Sequence, residues 1–209
     1  MGGYPGAVED LIDRIARLPG IGPRSAERLA LHLLREPPGT AEGLAAALRA
    51  IKRAVRNCAV CYNLTEGALC AVCGDDRRDR AVVLAVEQPR DVLALEQTGV
   101  YTGVYHVLLG RVAPLEGVGP GDLTIAALVG RVRDPALNCA GVAVREVVLG
   151  TSPTLEGDGT ALVLAEAVGR VAPGVRVTRL ARGLPTGSAL ELASKAVLAD
   201  AITERRDLR

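Results

Sequence analysis

Cys58-Ala59-Val60-Cys61-Tyr62-Asn63-Leu64-Thr65-Glu66-Gly67-Ala68-Leu69-Cys70-Ala71-Val72-Cys73 divides the chain into two differently patterned parts. Before it, apolar residues recur at helical spacing; after it, they gather into short unbroken runs. Within it, two identical Cys-x-x-Cys turns stand eight residues apart, each setting two thiols on one side of a tight loop. Four thiolates complete the tetrahedral shell that structural zinc takes, leaving no position for water or substrate. Only Leu64, Leu69 and Val72 could form a core here, so the metal is expected to supply the folding energy, on the order of 10 kcal/mol. Two disulfides or four unrelated thiols are the competing assignments. The opening residues Met1-Gly2-Gly3-Tyr4-Pro5 show neither the basic region nor the apolar core of an export signal. The expected compartment is therefore the cytoplasm, where disulfides are disfavoured.

Upstream, Val8, Leu11, Ile12, Ile15 and Leu18 form one apolar stripe, and Ala26, Leu29, Ala30 and Leu33 a second. Pro19-Gly20-Ile21-Gly22-Pro23 between them reads as a very short hairpin joining two helices. Thr40 is placed as the N-cap of a third helix reaching Arg56, with Leu44, Leu48, Ile51 and Val55 as its apolar face. Arg49, Lys52, Arg53 and Arg56 fall on a different face. Residues 14 to 56 hold nine Arg or Lys against Glu27, Glu36 and Glu42, a local excess of six in a chain of net charge +1. Such a basic third suits contact with phosphate, although a solvated arginine-rich surface would look the same. Gly20 and Gly22 let the backbone turn sharply and approach another surface closely. The helix that begins there offers free N–H groups, with Arg24 and Arg28 one turn apart. A plain αα corner is the structural alternative.

Downstream of the charged linker Asp75-Asp76-Arg77-Arg78-Asp79-Arg80, Ala81 to Val86 is an unbroken apolar run, the mark of a strand buried on both faces. A helix is expected over Asp91 to Gln97, closed by Gly99, then a strand over Tyr105 to Leu109. A helix near Leu123 to Val129 and a strand at Val144 to Leu149 follow. Gly159 to Val171 reads as helix and Val175 to Leu180 as strand. The alternation argues a mainly parallel sheet covered by helices. Gly183 to Gly187 is turn-rich, and Leu190 to Ile202 reads as a last amphipathic helix. Glu87 ends the first strand, and Glu156 and Asp158 end a later one. Three carboxylates converging there could hold Mg²⁺, or else be solvated or cap a helix. His32 and His106 have no partner at telling spacing and read as packing or surface groups, and Cys139, without a Cys-x-x-Cys partner, reads as an odd, buried thiol. No phosphate-binding Gly-x-x-x-x-Gly-Lys-Ser/Thr loop is present, and no apolar run nears the roughly 20 residues of a membrane span.

Leu18-Pro19-Gly20-Ile21-Gly22-Pro23-Arg24-Ser25-Ala26 resembles a helix-hairpin-helix, a sequence-independent DNA-binding element, and Glu87 with Glu156/Asp158 resembles the acidic positions of a Toprim domain. With the cysteine quartet between them, and with Tyr101-Thr102-Gly103-Val104-Tyr105-His106-Val107-Leu108, Gly117-Val118-Gly119-Pro120 and Pro153-Thr154-Leu155-Glu156-Gly157-Asp158, the chain resembles the RecR family of bacterial recombination mediators over its full length. The resemblance implies a multi-module α+β architecture. Residues 1–56 would be a helix-hairpin-helix region for DNA binding and dimerisation, 57–74 a four-Cys zinc finger, 80–180 an α/β Toprim domain, and 181–209 a C-terminal oligomerisation segment. It also implies a non-enzymatic role in DNA repair: a ring-forming clamp, dimer or tetramer, on single- and double-stranded DNA. That clamp acts with RecO and RecF to load RecA onto gapped DNA coated by single-strand binding protein, in the cytoplasm at the nucleoid. One structural Zn²⁺ per chain would sit on Cys58, Cys61, Cys70 and Cys73. Gly20, Gly22, Arg24, Arg28, Lys52 and Arg53 would face DNA, while Glu87, Glu156 and Asp158 would meet partners or Mg²⁺. A Mg²⁺-dependent Toprim nuclease or topoisomerase-like enzyme is the alternative. The chain departs from the family in Arg24, often Lys, and in Leu190-Glu191-Leu192-Ala193-Ser194-Lys195-Ala196-Val197-Leu198, which lacks a Tyr and two acids. It also departs in a longer Asp134 to Gly141 segment.

Overall fold

Prolines open the three N-terminal helices: Pro5 precedes α1 (Gly6–Ala16), Pro23 begins α2 (Pro23–Arg35), and Pro38 begins α3 (Pro38–Ala54). A ring-fixed φ suits the first turn, where the missing N–H would have had no partner. That chemistry displaces Thr40 from its expected capping role. Pro37 caps α3 instead, and Thr40 donates its N–H to the Pro37 carbonyl at 2.9 Å inside the first turn. The computed structural model describes residues 3–184, 187, 189–203 and 205. It divides into two compact units, Met1–Val55 and Arg56–Arg209.

In the first unit, α1 and α2 pack through the small side chains of Ala26 and Ala30, both fully buried. The Tyr4 hydroxyl donates to Glu27 at 2.6 Å and ties the segment before α1 to α2. Leu44, Leu48 and Ile51, from the apolar face assigned to α3, remain 48%, 60% and 56% exposed. Leu44 and Leu48 line, with Val8, Leu11, Leu33 and Leu34, an apolar groove of about 410 Å³.

The second unit opens with a two-stranded hairpin, β1 (Arg56–Asn57) and β2 (Leu64–Thr65), followed by a single helical turn, α4 (Ala71–Gly74). Then come β3 (Asp79–Val86), α5 (Pro89–Glu96), β4 (Gly103–Val107), α6 (Ile125–Arg133), β5 (Glu146–Gly150), α7 (Leu155–Val171) and β6 (Arg176–Arg179). The four longer strands are all parallel, in the order β4-β3-β5-β6. Val83, Leu84, Ala85 and Val86 of the inner strand are shut from solvent, as a parallel sheet covered on both faces requires. Leu128 on α6, with Leu164 and Val168 on α7, packs into the same core. Because β4 and β5 flank β3 on opposite sides, the crevice between the C-terminal ends of β3 and β5 is the topological switch point.

The last helix is interrupted: a 3₁₀ turn, Leu190–Leu192, gives way to extended Ala193, and α8 runs Lys195–Thr203. The Gly183 to Gly187 turn falls partly outside the described residues. No described helix is long and apolar enough to cross a membrane.

Candidate zinc centre and nucleic-acid interface

The four cysteines are brought together by two tight turns. In the first, Cys58 donates its N–H to the Asn63 carbonyl and accepts from Tyr62, whose φ of 63° is held by Asn57 donating to the Tyr62 carbonyl at 2.8 Å. In the second, Cys70 stands at the N-cap of α4, and Gly74 returns an N–H to its carbonyl at 3.0 Å. The Ala59 N–H, donated to Ala68 at 3.0 Å, ties one turn to the other. All four sulfur atoms lie within 4.8 Å of one another and all four residues are buried. Tetrahedral zinc with Zn–S bonds of about 2.3 Å needs sulfurs about 3.8 Å apart; the Cys61 and Cys70 sulfurs are 3.5 Å apart. The Cys70 N–H donates to the Cys58 sulfur at 3.4 Å, a contact that favours thiolate. Neighbouring thiols, Cys61 foremost, donate to Cys58 and hold its pKa far below the ordinary thiol range. Cys61 is pushed up, chiefly by Cys58, and Cys73 is pushed up, chiefly by Cys139. Thiols this close cannot all ionise unless a cation sits among them.

The module's core is not the expected one. Leu64 and Leu69 are 54% and 45% exposed, and of the three apolar residues only Val72 is buried. Its support comes instead from the sheet: the Val107 N–H on the edge strand β4 donates to the Cys61 carbonyl at 2.7 Å. The Tyr62 ring also tilts onto His106, with centroids 5.5 Å apart. His106, expected to be a packing or surface group, is fully buried, accepts or donates at Thr124, and is pushed down to about 3 by burial and then by Arg131.

At the glycine corner, the Leu18 N–H donates to Ile15 and the Ile21 N–H to Leu18, closing the turn. Gly20 takes a φ of +79°, the left-handed region that a side chain resists. Gly22 does not: its φ is −82°, and a Cβ there would meet nothing within 4 Å. Its lack of a side chain leaves the corner flat rather than satisfying a need of the fold. Arg24 and Arg28 are exposed and share a shallow cleft of about 430 Å³ with Glu27, Leu31, His32 and Arg35. Lys52 and Arg53 are exposed on α3. Among the described residues none of Arg24, Arg28, Lys52 or Arg53 forms an ion pair.

The three acids of the sheet do not converge within reach of one ion. Glu87, at the end of β3, is buried and accepts from the Ser152 N–H at 2.7 Å and the Ser152 hydroxyl at 3.2 Å. Glu156 and Asp158 lie in the first turn of α7 rather than at a strand end. Thr154 caps that helix by accepting the Gly157 N–H at 3.1 Å, so it starts four residues earlier than Gly159. Asp158 pairs with Arg179, at 2.5 Å, and with Arg182, which also reaches Asp200. The two guanidiniums hold its carboxyl below the usual range. Among the described residues, the cysteine quartet is the only group of three or more metal-ligating side chains within reach of one ion.

Residues 8–52 match the helix-hairpin-helix family of RecR, residues 55–75 the four-cysteine zinc finger domain of RecR, and residues 81–181 the Toprim domain. The Recombination protein RecR of Rhodopirellula baltica is 50% identical over 208 residues, all of both chains. That of Pelotomaculum thermopropionicum is 48% identical over 207 residues, covering 99% of this chain and 98% of the other. That of Rubrobacter xylanophilus is 48% identical over 208 residues, again all of both. The chain belongs to the RecR family.

The quartet is therefore the structural zinc site of a RecR zinc finger, with Cys58, Cys61, Cys70 and Cys73 as its four ligands. Its closed shell leaves zinc a structural part here. Sequence reasoning misses four polar groups of the second unit. Arg131, placed beyond the end of the expected helix, is on α6 and wholly buried. Ser152, Arg179 and Arg182 go unmarked because their partners lie 21 to 65 residues away.

Proposed function

We propose that the chain is a recombination mediator in DNA repair, a sequence-independent DNA clamp with no catalytic activity of its own. The observation that carries this reading is the exposed glycine corner beside Arg24 and Arg28, neither of which forms an ion pair among the described residues. Helix N-terminal N–H groups and guanidiniums together suit phosphate and read no base. One corner makes few contacts, so affinity would come from several copies held in a ring, dimer or tetramer. The open leucine groove of the first unit supports self-association through that unit. RecO and RecF are the proposed partners at the Toprim unit, acting to place RecA on gapped DNA coated by single-strand binding protein in the cytoplasm. The nuclease alternative draws no support from Glu87 and Asp158, whose oxygens are engaged by Ser152 and two arginines.

The test is DNA binding at low salt by Arg24→Ala/Arg28→Ala against the parent. The expected result is at least a tenfold loss of affinity, with zinc content unchanged. Parental affinity in the double variant would overturn the assignment. Incubation of supercoiled DNA with Mg²⁺ should leave it intact; nicking abolished by Glu87→Gln would establish the enzyme instead.

A further inference from the structure

Four thiolates around one divalent cation carry two net negative charges, here in residues no more than 4% exposed. A buried charge is tolerated when an opposite charge and hydrogen bonds meet it. On the sheet side of the module stands a cation with the converse problem. Arg131 is 1% exposed and among the described residues has no carboxylate within ion-pair distance. Its Nε donates to Asn138 at 2.7 Å and its Nη1 to the Tyr105 carbonyl at 2.6 Å, both neutral acceptors. Its Nη2 lies 4.0 Å from the sulfur of Cys139. Cys139 is itself buried and lies against Cys73, yet it stands outside the quartet's 4.8 Å circle.

We propose that Arg131 is the buried counter-charge of the zinc tetrathiolate, presented through the Asn138–Cys139 turn. Each charge answers the other's missing partner. Asn138 is the bracket: its side-chain oxygen receives Arg131, while its amide donates to the Arg80 carbonyl at 2.8 Å and the Val142 carbonyl at 2.6 Å. Arg80, whose carbonyl takes that bond, pairs through Nη2 with Asp76 at 2.6 Å, and its buried Nε has no acceptor among the described residues. The Asp134 to Gly141 segment acquires a purpose, since it carries the residues that aim a guanidinium at the metal centre. Arg131 acts as a positioning residue: it touches no zinc, and it sets the field in which zinc is held.

The experiment measures zinc release from the full-length loaded protein to a chromogenic pyridylazo chelator. Arg131→Met should release zinc faster by about 10- to 100-fold, the usual effect of losing a partner just outside a metal's ligands. Arg131→Lys keeps the charge and loses the forked hydrogen bonds; it should stay within about threefold of the parent on the same scale. Leu128→Ala, on the same helix and wholly buried, loosens packing without touching charge and should likewise stay near the parent. In the Co²⁺-substituted protein, the sulfur-to-metal charge-transfer band should move in Arg131→Met and hold in Arg131→Lys and Leu128→Ala. Release from Arg131→Met no faster than from Leu128→Ala, or an unmoved band, would overturn the proposal. If Arg131→Met does not fold, Arg131→Lys decides: rapid zinc loss there rejects a role for charge, and retention supports it.

Discussion

Ser152 donates both its backbone N–H and its hydroxyl to the buried carboxylate of Glu87, across 65 residues of sequence, at 2.7 and 3.2 Å. This pair fills the switch point between β3 and β5. Gly157 closes over it, and a Cβ at that glycine would stand 2.0 Å from the Ser152 carbonyl oxygen and 3.1 Å from Glu87. Backbone cannot yield as a flexible side chain can. Gly157→Ala should therefore destabilise the protein by about 2 kcal/mol, lowering Tm by about 4–8 °C in a chain of this size. Thermal unfolding with and without Mg²⁺ checks it. The loss should be the same in both, because the contact is steric and not a metal ligand.

Zinc removal should loosen more than the zinc finger. The Cys61 carbonyl receives the Val107 N–H from β4, which among the described residues has no other strand on that side. Chelation should free that N–H, and hydrogen exchange at Val107 should quicken by at least about tenfold as a local opening replaces a closed edge. Exchange at Val83, inside β3, should change less. Equal protection at Val107 in the metal-free protein would mean that the finger and the sheet are independent.

His106 gives a pH dependence of definite sign. Burial holds its folded pKa at about 3, against an ordinary value of 6.5, so the imidazole is neutral in the fold. A depressed pKa means that the unfolded chain binds the extra proton below 6.5, and stability falls as pH drops through that value. Between pH 7.5 and 5.5 the loss from this group is about 1 kcal/mol. His106→Asn should flatten that part of the profile in denaturant titrations run with zinc in excess. An unchanged profile in the variant would assign the effect elsewhere.

The elements that sequence makes plain are those in which one local rule acts alone. Ala81 to Val86 is short, β-branched and bounded by charged residues, which favours a doubly covered strand over a buried helix. The cysteines declare themselves by spacing, whereas the sequence treats Gly20 and Gly22 alike and only the structure singles out Gly20. Errors arise where two local rules compete or partners are distant. Thr40 is a good cap, but Pro38 starts the helix sooner. Glu156 and Asp158 read as loop acids, yet Thr154 draws them into a helix. Arg131 sits in an otherwise apolar run, and nothing nearby in sequence signals that Tyr105 and Asn138 receive it.

The two glycines of the corner separate folding from binding. Gly20 needs its positive φ, so Gly20→Ala should cost about 1 kcal/mol of stability. Gly22 has an ordinary φ and open space where a Cβ would go, so Gly22→Ala should leave Tm nearly unchanged. If phosphate approaches this backbone, the added methyl stands in its way, and DNA affinity should fall severalfold. No charge is removed, so the slope of log K against log salt should match the parent's. Arg24→Ala/Arg28→Ala should instead reduce that slope by about two, one for each lost phosphate contact. Affinity untouched in Gly22→Ala would place the DNA on the arginines alone and away from the corner's amides.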